Sequence, residues 1–266
     1  MSKPLILVSN DDGIHSEGLH SLASALRKIA RVVIVAPDRE KSGVSHSLTL
    51  TRPLRVEKLK RDVYAVDGTP TDCINIAVNK LLKKKPDLVA SGINKGGNLG
   101  DDMTYSGTVS AAIEGMIFGI PSFAVSVVSR NNYNFQTAGA VSASVAREIL
   151  NSGLPMDTLL NVNVPNLSIE KIKGVKVTRQ GKRIYSDAVV EKMDPRGEKY
   201  YWIAGEEIGY EKIRGSDLVA VMENWISITP IHVDLTNYRS LRKLKEWETL
   251  LGADLGMGSR GDHEGS

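Results

Sequence analysis

The stretch LILVSNDDG at residues 5–13 joins a run of apolar residues directly to two adjacent carboxylates, Asp11 and Asp12. A continuous apolar run of this length is typical of a parallel strand that is covered on both faces. Open α/β sheets bind ligands beyond the carboxyl ends of such strands. The two carboxylates and the amide of Asn10 are hard oxygen ligands of the kind that Mg²⁺ or Mn²⁺ takes. The stretch therefore predicts a ligand-binding sheet edge.

The bulk properties of the chain are those of an ordinary globular protein, with 266 residues, 41% hydrophobic and 24% charged. The single cysteine, Cys73, excludes an internal disulfide framework and a cysteine-rich zinc site. A net charge of +3 gives no support for nucleic-acid binding. No stretch approaches the roughly 18 apolar residues of a membrane span, and no signal peptide is evident. We therefore expect a cytoplasmic protein with no nucleic-acid or membrane partner.

Strand-like and helix-like segments alternate over the first two-thirds of the chain, which predicts repeated β-α-β units. Such units form an α/β fold with a doubly wound, mostly parallel sheet and helices on both faces. The predicted strands span residues 5–9, 31–36, 87–91, 122–128 and 159–164, with a side hairpin at 54–58 and 63–66. The predicted helices span residues 16–30, 71–84, 108–118 and 135–150.

The last third of the chain is different, because short β-rich segments follow one another there without a long helix. They predict a C-terminal β-hairpin arm and span residues 175–179, 200–204, 218–222 and 225–231. An amphipathic helix is expected at 238–251, and the glycine-rich residues 253–266 are expected to be a disordered tail. We therefore predict one domain over residues 1–252, with a core at about 1–170 and a β-rich arm at about 171–232.

Three polar loops follow predicted parallel strands, at residues 9–13, 37–45 and 91–108. Because the carboxyl ends of parallel strands lie at one edge of a sheet, we expect the three loops to form a single site. The second loop could lend the hydroxyl of Ser42 to a metal ion.

The third loop is rich in glycine and asparagine, and long loops of this kind are uncommon in compact domains unless they are functional. It carries Asn94 and Asn98 and ends at Ser106, Gly107 and Thr108, where a helix is predicted to begin. Free N–H groups and the positive end of the helix dipole suit a phosphate there. The loop contains no GxxxxGK[ST] or GxGxxG motif, so a Walker A site is excluded and nicotinamide binding has little support.

Each of these features also has an ordinary structural interpretation. Asp11 could cap the following helix and Asp12 could be a turn residue, since aspartate is common in both places. Ser106 could simply cap its helix, and the second loop could be a surface turn. His15 and His46 lie in candidate site loops and could assist proton transfer, although a lone loop histidine is more often solvated.

Six motifs follow one another along the chain: SNDDG, APDREKSGVSHSLT, GTPTDC, SGINKGGNLGDDMTYSGTVSAAIEG, NVNVP and SITPIHVDLT. Together they resemble the SurE family of stationary-phase survival nucleotidases, from about residue 4 to residue 237. The resemblance implies a Rossmann-like fold and a phosphatase that acts on nucleoside monophosphates. It also implies one divalent cation per subunit, most simply Mg²⁺ or Mn²⁺, and homodimers or homotetramers that exchange C-terminal β arms.

The resemblance further assigns roles to particular residues. The family's metal ligands match Asp11, Asp12, Ser42 and Asn94, and the two aspartates would act in catalysis through the metal. The family's phosphate contacts match Asn98, Ser106, Gly107 and Thr108. Family members accept several nucleotides and sometimes polyphosphate, so 3′-monophosphates and polyphosphate are further candidate substrates. One departure is Ser216-Asp217, which stands where many members carry Thr-Asp.

The chemistry expected of this site is metal-assisted hydrolysis of a phosphomonoester. The nucleophile is most simply a water molecule oriented by the metal, because both carboxylates are needed as ligands. Covalent attack by Asp11 or Asp12 is the alternative in principle. Two rival interpretations stay open: a HAD-type aspartyl phosphatase, which would need D-x-D spacing, and a non-enzymatic nucleotide-binding module.

Overall fold

The computed structural model describes residues 3–185, 189–203 and 207–255. The chain divides into two compact units, residues 1–232 and 233–266. The extent of the predicted single domain over residues 1–252 stays a prediction.

The first unit contains one large β-sheet and an arm of two two-stranded sheets. Its strands are β1 (Leu5–Ser9), β2 (Arg31–Pro37), β3 (Val56–Lys60), β4 (Val63–Val66), β5 (Leu88–Lys95), β6 (Ser122–Val128), β7 (Leu159–Pro165), β8 (Val175–Val177), β9 (Arg183–Tyr185), β10 (Val189–Met193), β11 (Lys199–Ile203), β12 (Glu207–Tyr210) and β13 (Ile226–Ile231). Nine of them form the sheet, in the order β3-β4-β2-β1-β5-β6-β7-β13-β8. The six strands from β4 to β7 in that order are parallel, whereas β3 and β13 run antiparallel to β4 and β7. The predicted mostly parallel sheet is confirmed.

Helices cover both faces of this sheet, which explains why its central strands are apolar throughout. The helices of the first unit are α1 (Glu17–Arg27), α2 (Pro70–Ile76), α3 (Gly107–Ile117), α4 (Phe135–Ser152) and α5 (Asp217–Met222). In β1, Ile6 and Val8 pack in the core that α1 and α4 cover, and Leu5 and Leu7 pack in the core under α2 and α3. Burying both faces of the strand leaves its carboxyl end as the place for polar residues.

The order of the strands places a topological switch point between β1 and β5. From β1 the chain moves outward to β2 and β4, and it then returns to the other side of β1 as β5. Ser9, the last residue of β1, is the register partner of Ser91 in β5. Ligands of open α/β sheets bind in the crevice at such a point. The residues that follow Ser9 and Ser91 therefore lie where the fold favours a site.

Two predicted elements differ from those in the structure because of local backbone features. Strand β5 continues to Lys95, past the predicted end at Ser91, across an irregularity in its pairing with β6. Gly92 allows this with a φ of +131°, where a Cβ would lie 2.3 Å from the Val125 carbonyl oxygen. The predicted helix at 71–84 is shorter, because α2 ends at Ile76 and a single π-helical turn follows at Ala77–Leu81.

The prediction of a β segment at residues 218–222 was wrong, because these residues belong to α5. The Ser216 hydroxyl caps this helix by accepting a hydrogen bond from the Val219 N–H. Leu218 and Val221, three residues apart, both pack against Leu99 of the third loop. A single apolar helical face explains the apolar residues that suggested a strand.

The predicted C-terminal β-hairpin arm is confirmed. Strand β9 pairs antiparallel with β12, and β10 pairs antiparallel with β11. Apolar side chains of the arm face solvent, among them Trp202, which is 60% exposed, and Ile203, which is 92% exposed. Ala204, the last residue of the predicted strand at 200–204, lies outside the described residues.

The second unit contains two helices, α6 (Tyr238–Leu244) and α7 (Glu246–Asp254), in place of the one helix predicted at 238–251. The predicted tail begins at residue 253, within α7, and residues 256–266 lie outside the described part of the chain. Within the described ranges of both units, no helix has the length and apolar character needed to cross a membrane.

Candidate active site

Asp11, the second residue after β1, is buried against the beginning of α3. The Thr108 hydroxyl donates a hydrogen bond to Asp11 Oδ1. Gly107 packs still closer, because a Cβ on this residue would lie 2.8 Å from the Asp11 Cβ and 3.2 Å from Pro70 Cγ. Only glycine leaves room for the aspartate side chain at this contact. The fold thus brings the first and third predicted loops together.

Burial disfavours the charged form of Asp11, and hydrogen bonds from Thr108 partly offset this effect. Burial raises its pKa to about 6, the Thr108 hydroxyl and backbone N–H lower it, and the charge of Asp12 raises it. The N-terminal end of α3 favours negative charge at this place. A buried, ionised pair of carboxylates is costly unless a cation neutralises it.

Asp12 is half-buried beside Asp11 and has a basic neighbour. Burial raises its pKa, and the ammonium and backbone N–H of Lys95 lower it. Its Oδ2 atom is buried and has no hydrogen-bond partner among the described residues. An orphaned carboxylate oxygen of this kind fits a metal ligand.

Asn10 supplies a second buried oxygen of the same type. Its amide nitrogen donates to the Gly13 carbonyl at 3.1 Å and to Ser16 Oγ at 2.7 Å. The opposite end of the amide, Oδ1, is buried without a partner among the described residues. Among the described residues, no group of three or more His, Cys, Asp or Glu side chains is placed to hold a metal ion, so neutral oxygens would have to complete the ligand set. Two carboxylates and neutral oxygens suit a hard cation such as Mg²⁺ or Mn²⁺.

The second loop packs against the first through its backbone. The Lys41 N–H donates to the Asp11 carbonyl at 2.7 Å. Gly13, with a φ of +93°, approaches Arg39 so closely that a Cβ would lie 2.9 Å from the Arg39 carbonyl carbon. Ser42 is exposed, and its hydroxyl donates to Glu40 Oε1 at 2.8 Å. The structure brings this loop to the site, but the Ser42 hydroxyl is directed to Glu40.

Asn94 lies half-buried near the end of β5, where its amide nitrogen donates to the Gly96 carbonyl at 2.9 Å. It therefore belongs to the strand and not, as the sequence suggested, to the loop after it. It is next to Lys95, the residue that acts on the Asp12 carboxyl. This places Asn94 at the same sheet edge as the aspartate pair.

Asn98 is buried and held by the neighbouring strands. Its N–H donates to Asn163 Oδ1 at 2.9 Å, and its amide nitrogen donates to Ser126 Oγ at 2.9 Å. Its carbonyl accepts hydrogen bonds from Asn161 at 2.7 Å and Asn163 at 3.0 Å. No role was predicted for these two β7 asparagines, although two polar residues in the buried strand NVNVP are a signal that could have revealed it.

Some of the polar groups at the start of α3 already form hydrogen bonds within the protein. Ser106 Oγ accepts a hydrogen bond from the Val109 N–H at 3.0 Å as the helix cap. Both the hydroxyl and the N–H of Thr108 act on Asp11. Ser106 and Gly107 are therefore the residues at this helix terminus that are left to meet a phosphate.

The family model described as "Survival protein SurE" matches residues 6–187. The chain belongs to the SurE family. It is 54% identical to a Geobacter sulfurreducens protein named 5′-nucleotidase SurE, over 91% of this chain and 93% of that protein. It is 52% identical to a protein of the same name from Aquifex aeolicus, over 92% of this chain and 98% of that protein.

A crystal structure of the Aquifex aeolicus SurE protein has the same fold. It superimposes with a TM-score of 0.84 at 52% identity and covers 92% of this chain and all of that chain. This share is larger than the part of the chain at residues 1–187, so the likeness extends beyond the end of the family model.

In this SurE-family chain, the histidine of the second loop does not point at the aspartate pair. His46 Nε2 lies 2.9 Å from Glu114 Oε2, and the Asn75 amide donates to the other oxygen of Glu114 at 3.0 Å. Glu114 lies two helical turns beyond Gly107 in α3. His46 therefore anchors the second loop to α3, which argues against the proton-transfer role considered from the sequence.

The SurE-family third loop is also held by a residue that sequence reasoning did not assign to the site. Asp217 is fully buried, and its two oxygens accept hydrogen bonds from three N–H groups: Gly100 at 2.8 Å, Gly181 at 2.8 Å and Leu218 at 2.7 Å. Gly181 is in the segment that leads into the arm. Asp217 thus joins the third loop, α5 and the base of the arm at one carboxylate.

Proposed function

We propose that this chain hydrolyses the phosphate ester of nucleoside 5′-monophosphates with the help of one divalent cation per subunit. Relatives more than half identical to it over nine-tenths of its length are named 5′-nucleotidases, which makes the chain a phosphomonoester hydrolase. The metal dependence, the ligand set and the range of substrates are the parts that we propose.

One observation carries the proposal more than any other. A buried aspartate packs on a glycine at the start of α3, at the switch point of the sheet. Beside it are two buried oxygens that have no hydrogen-bond partner within the described ranges. Phosphate binding is favoured at the helix terminus and cation binding at the oxygens. The two preferences meet at one place, as phosphate ester hydrolysis requires.

We assign the cation to Asp11, Asp12, Ser42 and Asn94, with Mg²⁺ or Mn²⁺ as the ion. A divalent ion bound there would polarise the phosphate and offset its charge. Thr108 holds the Asp11 carboxylate in place, and Lys95 offsets part of the charge of Asp12. Using Ser42 would require its hydroxyl to leave Glu40.

We assign the phosphate to Asn98, Ser106, Gly107 and Thr108, of which Gly107 and Thr108 pack against Asp11. In the reaction, a water oxygen forms the new bond to phosphorus as the ester bond to the 5′-oxygen breaks. The leaving oxygen takes up a proton, and the products are the nucleoside and inorganic phosphate. The Gly107 N–H and the Ser106 hydroxyl would donate hydrogen bonds to the non-bridging oxygens, where charge develops, while Thr108 keeps its bonds to Asp11.

The test is phosphate release from a panel of nucleoside 5′-monophosphates by chelator-treated protein, before and after addition of Mg²⁺ or Mn²⁺. We expect activity only with the metal, and we expect Asp11→Asn to lower kcat by about a hundred-fold or more. A protein that binds the nucleotides but releases no phosphate with either metal would be a binding module instead. Trapping of an acyl-phosphate on Asp11 or Asp12 would favour the aspartyl phosphatase.

We also propose that the chain forms homodimers or homotetramers through its arm, whose apolar side chains face solvent. Nucleoside 3′-monophosphates and polyphosphate are proposed as additional substrates, and the cytoplasm as the location. Phosphate release from nucleoside 3′-monophosphates and polyphosphate can be measured in the same assay.

A further inference from the structure

The second loop is attached to the rest of the protein on both sides of Ser42. On one side, the Lys41 N–H donates a hydrogen bond to a carbonyl of the first loop at 2.7 Å. On the other side, the Ser45 N–H donates to the Tyr105 carbonyl of the third loop at 3.1 Å. Only residues 42–44, which we call the tip, lie between these two attachments.

The tip is the part of the second loop that has to reach a cation. Ser42 is exposed, and its hydroxyl donates to Glu40 Oε1 at 2.8 Å. Gly43 has a φ of +72°, and no heavy atom of the described residues lies within 4 Å of the place where its Cβ would be. The tip therefore has room to turn, and the attachments on its two sides limit where Ser42 can go.

Residues 45–49, which we call the strap, follow the tip and form hydrogen bonds with α2. The Thr69 hydroxyl at the start of α2 donates to the Ser47 carbonyl at 2.8 Å. The Thr49 N–H and hydroxyl donate to the two carboxylate oxygens of Asp72 at 3.0 Å and 2.6 Å. Asp72 is itself buried. The strap is therefore fixed to α2 along most of its length.

Glu114 attaches the same strap to α3. Its side chain is only 6% exposed, and its Oε2 atom lies 2.9 Å from His46 Nε2. Its other oxygen accepts a hydrogen bond from the Asn75 amide of α2 at 3.0 Å. The two helices that meet at this carboxylate are the ones that pack beside Asp11. Loss of the His46 side chain would release the strap from α3 but would leave the contact between the helices.

We propose that His46 is a positioning residue for the cation. Through Glu114 it holds the strap in place, and the strap keeps Ser42 within reach of the aspartate pair. The inference rests on the proposed function, because it concerns a ligand of the proposed cation. It gives His46 a part in metal binding without contact with the metal or the substrate, so its effect passes through Ser42.

A double-mutant cycle on Mn²⁺ affinity tests this inference, with calorimetric titration of chelator-treated protein as the measurement. We expect His46→Ala to weaken Mn²⁺ binding by about ten-fold, the usual effect of losing a group that orients a metal ligand. Ser42→Ala should weaken it at least as much. In Ser42→Ala protein, adding His46→Ala should change the affinity by less than about two-fold, because the ligand that it positions is already absent.

Two further variants separate this role from a general effect on packing. Asn75→Ala is the matched control, since it removes the other hydrogen bond to the same carboxylate and leaves the strap attached. Its Mn²⁺ affinity should stay within about two-fold of wild type. His46→Gln keeps an N–H that can donate to Glu114, and it should restore most of the affinity lost in His46→Ala. Circular dichroism and thermal melting check that each variant is folded.

Hydrogen exchange of the metal-free protein reports on the strap without requiring a cation or a substrate. We expect faster exchange over residues 42–49 in His46→Ala and unchanged exchange there in Asn75→Ala. Unchanged exchange in His46→Ala would show that His46 does not hold the strap.

The failure of this inference can be told apart from the failure of the proposed function. If wild type binds no Mn²⁺, the proposed function fails, and the role of His46 in metal binding fails with it. If wild type binds Mn²⁺ and His46→Ala binds it equally well, only the inference is overturned. A ten-fold loss that persists in Ser42→Ala protein would also overturn it, because His46 would then act by another route.

Discussion

Gly107 shows how one residue can set the geometry of the candidate site. Its missing side chain lets Asp11 pack on the first turn of α3, where Thr108 holds the carboxylate. The sequence predicted that the two loops meet, because strand ends share an edge of the sheet. It could not predict that Thr108 is directed to Asp11, since that contact joins residues 97 positions apart.

We expect Gly107→Ala to lower kcat by about ten- to a hundred-fold, because the new methyl group would displace Asp11 from its position. The measurement is metal-dependent phosphate release under saturating substrate. Gly139→Ala is the matched control: this glycine is also helical, and its Cβ would make only ordinary contacts of 3.4 Å or more. Equal kcat values in the two variants would show that the close contact with Asp11 has no role in the reaction.

At the scale of elements, the third loop depends on its attachment to the base of the arm. Asp217 binds Gly100 and Gly181, the Gln180 amide donates to Asp101 Oδ1 at 3.1 Å, and Arg183 pairs with Asp102. These contacts connect a loop of the candidate site to a segment that the sequence analysis assigned only to oligomerisation. The arm therefore positions the loop as well as presenting an apolar surface.

We expect Asp217→Asn to loosen the third loop, because an amide NH₂ would face a backbone N–H where a carboxylate oxygen now accepts. The free energy of unfolding should fall by about 1 to 3 kcal/mol, the usual cost of a buried donor without an acceptor. Hydrogen exchange should be faster over residues 96–104, and kcat/KM should fall. Asp157→Asn, at an exposed aspartate outside the third loop and the arm, is the control. No difference between these variants in hydrogen exchange would argue against the attachment.

Some elements could be predicted from the sequence and others could not, for physical reasons that differ from element to element. The central strands were predicted well because burial on both faces leaves a continuous apolar run. The segment at 218–222 was misjudged, since five apolar residues in a row do not distinguish a strand from a short buried helix. The extension of β5 to Lys95 depends on the backbone conformation of Gly92, which residue type alone does not specify.

For the whole molecule, the topology explains why the site lies where it does. The reversal of strand order at β1 opens a crevice, and the first, second and third loops all reach it. The ligand set could be named in advance only through the family resemblance. A cavity of about 550 Å³ next to Gly96 could not be predicted, since its walls come from the third loop, β6, the arm and α5.

We expect the exposed apolar side chains of the arm to hold subunits together. Ile203→Glu, at a side chain that is 92% exposed, should shift the protein from an oligomer to a monomer in light-scattering measurements after gel filtration. Met156→Glu is the control, because that side chain is 90% exposed but lies outside the arm. An unchanged mass in the arm variant would mean that subunits associate through another surface, or that the wild type is itself monomeric.

The proposed function depends on a divalent cation bound by the aspartate pair after β1 together with the oxygens of Ser42 and Asn94. Calorimetric titration of chelator-treated protein with Mn²⁺ tests it most directly, with wild type and Asp12→Asn side by side. We expect one Mn²⁺ ion per chain in the wild type and a Mn²⁺ affinity at least about ten-fold weaker in Asp12→Asn. Identical stoichiometry and affinity in the two proteins would contradict it.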